Sequence, residues 1–445
     1  MPQIEGRQTA SANANAVDHE PSDLAQTLER HAFRKIAVRL LPILTIAFFL
    51  NFLDRNNIGY AALTMNKEIG LTAAQFGYGA GIFFLGYCFF EIPSNIALYR
   101  YGARVWIARI MITWGVISAA TIFVRGPSSF YFLRFLLGVA EAGFFPGVAY
   151  YLGSWFPADY RARVLAWFLI AIPGSPVIGG PLSGLLFKLD GAAGLSGWKW
   201  LFIAEGIPSV IVGAILFWAL RDTPAEAKWL TEEERRMVLA RIASEPREQE
   251  RKKLGPALKD VRVLILSGVM LGFTIGSYAV TIWLPQIIKG SHFSNLEVGF
   301  LSAIPYFFAC VGSILWAANV DRSGRKIGNL TLACLISTIG LVISIVSHSF
   351  VISMIGMTVA LIGITSARAI FWTIPTRFLT GIAAAGGLAF INSIGTLGGF
   401  IGPSIIGWFK DRTGSFSAGL LAVSGFLLLA MIFSISLRFF VRNEV

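Results

Sequence analysis

Twelve long apolar segments constrain the fold of this chain more than any other feature of its sequence. A helix needs about 20 apolar residues to cross the hydrocarbon core of a bilayer, and each segment has that length. With 55% hydrophobic and 14% charged residues, a soluble fold would lack polar side chains to cover its surface. We therefore predict an all-α, polytopic membrane protein. Its twelve predicted transmembrane helices span residues 36–58, 74–98, 104–124, 130–153, 163–187, 198–220, 262–288, 296–319, 328–347, 350–374, 380–409 and 417–440.

A hydrophilic stretch separates the first six apolar segments from the last six. Within it, the capping-box pattern from Thr231 to Glu234 predicts a short surface helix. Basic residues concentrate there and after the second, fourth and eighth segments, on one side of an alternating topology, which marks the cytoplasmic face. We expect both termini in the cytoplasm and the protein in the inner (plasma) membrane. The predicted parts are a disordered cytoplasmic tail at 1–31, a six-helix bundle at 32–221, a cytoplasmic linker at 222–260 and a second six-helix bundle at 261–441.

Two sequence matches at one spacing relate the two halves. Arg100-Tyr101-Gly102 corresponds to Arg322-Ser323-Gly324, and Gly180-Pro181 corresponds to Gly402-Pro403, each at an offset of 222 residues (322 − 100 and 403 − 181). Parallel six-helix halves form one architecture of secondary transporters, in which the binding site lies between the halves near the bilayer midplane. We therefore predict pseudo-symmetric halves and a central site.

Charged residues inside the apolar segments are the candidates for that site. Arg134 and Glu141 are seven residues apart in the fourth segment, so they share nearly one helix face at a separation of about 10 Å. In the first segment, Asn51, Asp54 and Arg55 share a face at spacings of three and four. A charge at the bilayer centre costs at least ~2.5 kcal/mol, which favours a functional role. The alternative for Arg134 and Glu141 is a salt bridge that only fastens helices together.

The chemistry of these side chains divides them into two roles. Arg55 and Arg134 stay charged and present forked donors that match a carboxylate, so we assign them to a substrate anion. Asp54 and Glu141 can gain and lose a proton, so we assign them to proton coupling. Glu91 and Glu205 lie nearer helix ends and are interpreted as structural.

Further polar residues are predicted to line the site. Thr274, Ser277, Tyr278 and Thr281 form a stripe on the seventh segment that faces either a wet cavity or another helix. The predicted substrate contacts from this and other segments are Tyr87, Tyr278, Asn392 and Ser393. Tyr87 has the alternative of simple packing. Arg368 in the tenth segment either binds a second carboxylate, favouring a diacid, or extends towards the lipid headgroups.

Several motifs carry a resemblance to a known family. Asp321-Arg322-Ser323-Gly324-Arg325-Lys326 is similar to the signature, gating loop of the major facilitator superfamily, with Ala317 in place of the usual glycine. The other motifs resemble the anion:cation symporter family within it, over residues 32–441, and in particular the tartrate transporter and hydroxyphenylacetate permease branch. They are Asn51 to Asn57, Glu91-Ile92-Pro93-Ser94-Asn95, Arg134 to Pro146, Trp155-Phe156-Pro157 with Arg161, Ala383-Ala384-Ala385, Ile391 to Gly395, Gly398-Gly399 and Gly402-Pro403.

The resemblance implies a proton-coupled carrier of small organic anions. It assigns protons to Asp54 and Glu141, and substrate contact to Arg55, Arg134 and Asn392. Two positions depart from the family pattern, since Thr396 stands where relatives often have asparagine and Arg368 stands where an uncharged residue is expected.

Other function classes lack their sequence features. No lysine directly follows a glycine, so the phosphate-binding GxxxxGK[ST] loop of ATP-driven pumps is absent. The histidines and the three cysteines show neither a catalytic nor a metal-ligand pattern, so we expect no enzyme, metal or cofactor. The formal charge of +12 comes mainly from basic residues in the short segments between apolar runs, where they set membrane orientation, so we expect no nucleic-acid partner. We predict proton-coupled uptake, by alternating access, of an anion such as tartrate or another hydroxy or aromatic carboxylate. The alternatives are a non-transporting sensor and a sodium-coupled or exchange carrier.

Overall fold

The computed structural model describes residues 20–169, 171–244, 259–375, 378–379 and 381–440. Within these ranges the regular secondary structure is helical, without strands, and 12 helical stretches are long and apolar enough to cross a membrane. The predicted all-α membrane fold is therefore confirmed. The predicted tail up to residue 19 and linker residues 245–258 lie outside the described residues, as do the side chains of Ala383-Ala384-Ala385.

Eight helices make up the first half of the described chain. They are α1 Glu20–Glu68, α2 Ala73–Tyr101, α3 Ala103–Ala120, α4 Pro127–Glu141, α5 Phe144–Trp155, α6 Ala158–Leu169, α7 Ala171–Leu186 and α8 Gly197–Ala219. The pair α4 and α5 forms the fourth membrane span, and the pair α6 and α7 forms the fifth. Short 3-10 turns occur at Thr121–Phe123, Phe187–Leu189, Ala192–Gly194 and Pro224–Glu226.

The linker and the second half contain the remaining described helices. They are α9 Glu232–Ala243 in the linker, then α10 Val261–Lys289, α11 Asn295–Ser323, α12 Lys326–Val346, α13 Phe350–Phe371, α14 Gly381–Thr396, α15 Gly398–Thr413 and α16 Ser417–Phe440. The eleventh span is built from α14 and α15. The capping box of Thr231 and Glu234 starts α9, so the predicted surface helix is confirmed.

The first helix corrects the predicted disordered tail. Residues 20–31 are helical and continue into the first membrane span. Leu, Ala, Gln, Glu and Arg dominate positions 24–30, and these residues favour helix. This end of α1 is also held to the linker, since Lys35 Nζ lies 2.9 Å from Glu234 Oε2 and His31 Nδ1 lies 3.3 Å from Glu234 Oε1. Helix propensity and this anchoring outweigh the polar composition.

The distribution of side chains is that of a membrane protein. Large apolar residues such as Leu315, Trp218 and Phe123 are exposed by about two thirds of their surface, whereas Asp54 and Glu141 are fully buried. Lipid replaces water around such a protein, so apolar residues face outwards and polar groups must be satisfied inside. The polar interior therefore marks the region where function is to be sought.

A break in the fourth span positions Glu141. The α4 helix ends at Glu141, and Gly143 follows with a left-handed φ of 83°. A Cβ at Gly143 would lie 2.5 Å from Ser94 Oγ, so glycine is required there on both counts. The single helix predicted over 130–153 is thus two helices. The Glu141 carboxylate lies at the end of α4, inside the membrane span.

The internal duplication is visible in how the halves pack. Gly299 of α11 contacts α7, where its Cβ would lie 2.4 Å from the carbonyl oxygen of Gly180. Gly77 of α2, which precedes Gly299 by 222 residues (299 − 77), contacts α15, where its Cβ would lie 2.4 Å from the carbonyl oxygen of Pro403. Pro403 directly follows Gly402, the counterpart of Gly180 (402 − 180, also 222). The two helix crossings between the halves are therefore equivalent, in agreement with the predicted pseudo-symmetry.

Both crossings lie towards the end of the molecule opposite the linker, called here the far end. At this end Asp411 of α15 accepts hydrogen bonds of 2.9 Å from the backbone N–H groups of Ala73 and Ala74. The first N–H groups of a helix have no partner within the helix and carry partial positive charge. A carboxylate from one half thus caps a helix of the other, and the far end is closed in this structure.

Candidate functional site

A buried ion pair between α1 and α4 forms the centre of the candidate site. Arg55 Nε lies 2.7 Å from Glu141 Oε2, and Asn51 Nδ2 donates to the same oxygen at 2.8 Å. The Glu141 side chain is fully buried, whereas Arg55 is 11% exposed. The guanidinium therefore keeps a face to which another anion could bind. The other oxygen, Glu141 Oε1, is buried and has no hydrogen-bond partner among the residues that the structure describes.

Aromatic rings surround the Arg55 guanidinium. Its central carbon lies 5.3 Å from the ring centroid of Phe52, 5.4 Å from that of Phe83 and 4.8 Å from that of Tyr87. These distances are within the range of cation–π attraction, which fixes a planar cation without neutralising it. The predicted residue Tyr87 therefore contacts Arg55 directly, and the arginine is oriented by rings as well as by Glu141.

Arg134 lies next to the Phe83 ring. Its guanidinium is 5.0 Å from the Phe83 centroid, and Nη2 donates a long, 3.5 Å hydrogen bond to the backbone oxygen of Ala80. Arg134 is 1% exposed, and its Nε and Nη1 have no hydrogen-bond partner among the described residues. The two predicted anion-binding arginines thus flank Phe83, but solvent reaches Arg55 and not Arg134.

Asp54 occupies a different environment from its neighbour in sequence. It accepts hydrogen bonds from Ser118 of α3 and, at 3.1 Å, from Asn57 Nδ2. Asp54 is 0% exposed, and its second oxygen, Oδ2, has no hydrogen-bond partner in the described part of the chain. Within the described chain, no basic side chain lies within salt-bridge distance of it. The two predicted proton-coupling carboxyls therefore differ, because Glu141 is paired with a cation and Asp54 is held by neutral groups.

The polar stripe predicted on the seventh segment lies on α10 and divides between two environments. Ser277 Oγ accepts a hydrogen bond of 3.0 Å from Arg368, and Thr281 Oγ1 accepts one of 3.0 Å from Tyr306. These two residues bond to neighbouring helices of their own half. Tyr278 instead faces the first half, where its ring centroid lies 4.2 Å from that of Phe84.

Arg368 lies inside the second half and does not extend to the headgroups. Its guanidinium bonds to Ser277 and lies near Tyr278. Tyr278 has the same relationship to Arg55 of the first half. One tyrosine thus stands between a cation of each half, across the interface where a central site is predicted.

The predicted contacts from the eleventh span meet α2. Asn392 Nδ2 lies 3.4 Å from Glu91 Oε1, and the backbone oxygen of Ser393 lies 3.9 Å from Cys88 Sγ. These bonds join α14 to α2 across the halves, on the linker side of the Arg55 pair. Glu91, which was interpreted as structural, is therefore the cross-half partner of a predicted substrate residue.

The signature loop lies at the linker end. Gly324 ends α11 with a left-handed φ of 67°, and Lys326 begins α12 with its Nζ 3.4 Å from the backbone oxygen of Thr373. Asp321, Arg322 and Arg325 are exposed. Gly102, at the equivalent position of the first half, also has a positive φ, of 87°. The loop therefore ties α11 and α12 to the segment after α13, outside the central cluster.

Sequence reasoning missed two residues of this arrangement. Ser118 is enclosed in an apolar segment, and nothing in its neighbourhood marks it as the partner of Asp54. Asp411 belongs to a charged run, Lys410-Asp411-Arg412, typical of a surface connection, yet it caps α2 at the far end. The one available signal was the position of Asp411 near the end of a span equivalent to the fifth.

Comparisons with known proteins identify the family and the fold. Residues 44–403 match the Major Facilitator Superfamily. A provisionally named tartrate transporter of Agrobacterium vitis is 48% identical over 94% of this chain and 94% of its own length. A quinolone resistance transporter of Acinetobacter baumannii is 40% identical over 94% of this chain and 96% of its own. The solved structure of a bacterial homologue of the human lysosomal transporter Spinster, inward-facing and unoccupied, has a TM-score of 0.75 at 18% identity, covering 92% of this chain and 98% of that one.

Proposed function

Because this chain belongs to the Major Facilitator Superfamily and is a membrane transporter, we propose that it imports a small organic diacid, such as tartrate, together with protons. The proposal places the protein in the inner membrane with both termini in the cytoplasm. In it, the bundles at 32–221 and 261–441 rock about the central site, the linker at 222–260 connects them, and the Asp321 to Lys326 loop takes part in gating.

The observation that carries the proposal is the ion pair of Arg55 and Glu141, 2.7 Å apart and enclosed between membrane spans. A substrate carboxylate bound to the exposed part of the Arg55 guanidinium would compete with Glu141 for this cation. When the substrate binds Arg55, Glu141 loses its cation, and an unpaired buried carboxylate is costly enough to take up a proton. Anion binding and proton binding then strengthen each other, as linkage requires.

The placement of Arg368 supports a diacid. In the proposal, Arg55 binds one carboxylate and Arg368 binds the other, with Tyr87, Tyr278, Asn392 and Ser393 contacting the hydroxyl-bearing centre between them. Arg134 adds a second positive charge beside Phe83, within electrostatic range of Glu141 and Asp54. The tartrate name of the 48% identical relative agrees with such a substrate.

Uptake of radiolabelled tartrate into proteoliposomes tests the proposal. We expect accumulation when the outside is acidified and none after a protonophore collapses the gradient. Binding without accumulation under any gradient would instead indicate the sensor alternative. Accumulation that follows a sodium gradient at constant pH would replace protons by sodium as the coupling ion.

A further inference from the structure

A third buried carboxyl, that of Glu205 of α8, lies where α8 meets α1 and α3. It is 1% exposed. The next residue, Gly206, packs against Gly115 of α3 so closely that a Cβ on either would lie within 2.7 Å of the other's carbonyl oxygen. The two backbones are in direct contact at this level, which excludes solvent from the helix crossing beside Glu205.

The unpartnered polar atoms around Glu205 are hydrogen-bond acceptors. Both of its carboxyl oxygens are buried without a partner among the described residues, and the same holds for Asp54 Oδ2 and Asn57 Oδ1. The amide nitrogen of Asn57 is directed to Asp54 Oδ1, at 3.1 Å. Asn57 and Asp54, both on α1, lie close enough to interact with the Glu205 carboxyl. All four unpartnered atoms are acceptors, and the donors that reach the cluster are the Asn57 amide and the Ser118 hydroxyl, so acceptors outnumber donors.

No cation is paired with the cluster. Within the described chain, no Arg, Lys or His side chain forms a salt bridge with Glu205 or Asp54, in contrast to the pairing of Glu141 with Arg55. The titratable groups facing Glu205 are Asp54 and Tyr60, both from α1. Glu141 and Arg134 of α4 lie within electrostatic range of Asp54 with opposite effects, α3 contributes Ser118 to Asp54, and the described residues of α7 carry no charge. A proton would remove one negative charge and supply the missing O–H donor in a single step.

We propose that Glu205, Asn57 and Asp54 form a proton-binding site separate from the Arg55–Glu141 pair, with the proton on Glu205 in this conformation. The role of this site in transport rests on the proposed proton coupling, whereas protonation of Glu205 does not. Asn57 of α1 lies next to both carboxyls. A movement of α1 that alters the contacts of Asp54 therefore also alters those of Glu205. The site therefore links the proton state of α8 to the helix that carries Arg55.

Infrared spectroscopy of the reconstituted protein tests this site without requiring transport. A protonated carboxyl has a C=O stretching band that a carboxylate lacks. Near neutral pH, in choline chloride, we expect this band in the wild type, its loss in Glu205→Gln, and its retention in Glu233→Gln, a matched change at an exposed glutamate of α9. Wild-type protein with ¹³C-labelled glutamate should show the band at lower frequency, which assigns it to glutamate even if Glu205→Gln does not fold.

The opposite results would overturn the proposal. A wild-type protein without the band, or a band of equal strength in folded Glu205→Gln, means that Glu205 is ionised. If replacing choline with sodium abolishes the band in the wild-type protein, sodium displaces the proton from Glu205. That result would identify a sodium site instead of a proton site. If tartrate uptake does not depend on protons but the band behaves as expected, the proposed function fails while the protonation of Glu205 stands.

Discussion

Gly180 of α7 and Gly299 of α11 pack backbone against backbone across the two halves, so that a Cβ on either would lie 2.4 Å from the other's carbonyl oxygen. No side chain mediates this contact. The equivalent crossing between the halves joins Gly77 of α2 to Pro403 of α15. Closure of the far end therefore depends on the absence of a single methyl group at these positions. Alternating access would require that this contact separate and re-form in each cycle.

The first prediction concerns this contact. Gly180→Ala should hinder closure, because overpacking typically costs about 1 to 3 kcal/mol, which corresponds to a roughly 5- to 150-fold shift towards the open far end. Tartrate uptake should fall accordingly. Gly174→Ala is the control on the same helix, since its Cβ would meet nothing within 4 Å. Equal uptake by the two variants would show that the Gly180 contact does not limit the cycle.

The second prediction concerns the anion-binding arginines. Arg55→Lys keeps the charge but loses the fork, and a charged hydrogen bond contributes about 1.5 to 3 kcal/mol, so tartrate affinity should fall roughly 10- to 150-fold. Arg134→Lys should also weaken binding, but less, because Arg134 is 1% exposed. Thermal-shift titration with tartrate measures both affinities. Arg100→Lys, at an exposed arginine of the linker end, is the control. Wild-type affinity in both lysine variants would reject the assignment.

The third prediction separates binding from coupling. Glu141→Gln mimics the protonated side chain, so it should bind tartrate and exchange it across the membrane at a rate close to that of the wild type. It should not concentrate tartrate when the outside is acidified. Counterflow and acid-driven uptake, measured on the same proteoliposomes, distinguish the two. Full acid-driven accumulation by Glu141→Gln would assign coupling to Asp54 alone or to another ion.

The fourth prediction addresses the second carboxylate. Arg368→Ala should reduce the affinity for a diacid such as tartrate about tenfold or more, while a monoacid such as lactate changes little, because only the diacid reaches the second arginine. Ser277→Ala removes the hydrogen-bond partner of Arg368 and keeps its charge, so it serves as the control. An equal loss for the mono- and the diacid would contradict the role of Arg368.

The fifth prediction concerns pH and the anchoring of α1 to the linker. Burial raises the pKa of Glu234, but the hydrogen bonds from Lys35 and Thr231 outweigh it and hold that pKa below its usual range. A carboxyl with a lowered folded-state pKa stabilises the folded protein above the unfolded-state value of about 4.3, and this contribution is lost as the pH falls through the folded-state value. The melting temperature of the wild type should therefore decrease as the pH is lowered below about 4.3. It should decrease less steeply in Glu234→Gln.

The comparison variant for this effect is Glu233→Gln, whose exposed side chain should leave the acid dependence as in the wild type. Glu234 forms a salt bridge of 2.9 Å with Lys35. Near neutral pH, Lys35→Met should therefore lower the melting temperature by part of the amount by which Glu234→Gln lowers it. Identical acid profiles for wild type and Glu234→Gln would show that this pair does not stabilise the fold.

The amino-acid sequence by itself determined the number of membrane spans, the division into two related halves and the charged residues that enter the membrane. Each of these follows from a local requirement. A span needs about 20 apolar residues, and a charge within such a span is evident against its neighbours. The offset of 222 residues likewise appears in the order of residues, and the packing of Gly77 and Gly299 reflects it.

Only the tertiary structure decided which of these charges meet. Glu141 pairs with Arg55, 86 positions away, and not with Arg134 on its own helix. Asp54 binds Ser118 from α3, and Asp411 caps α2 from a distance of 338 positions. An apolar helix presents similar surfaces in every direction, so its sequence does not specify which face meets which neighbour. The close packing of all twelve spans together selects those faces. The same packing decides which buried charges are paired and with which residue.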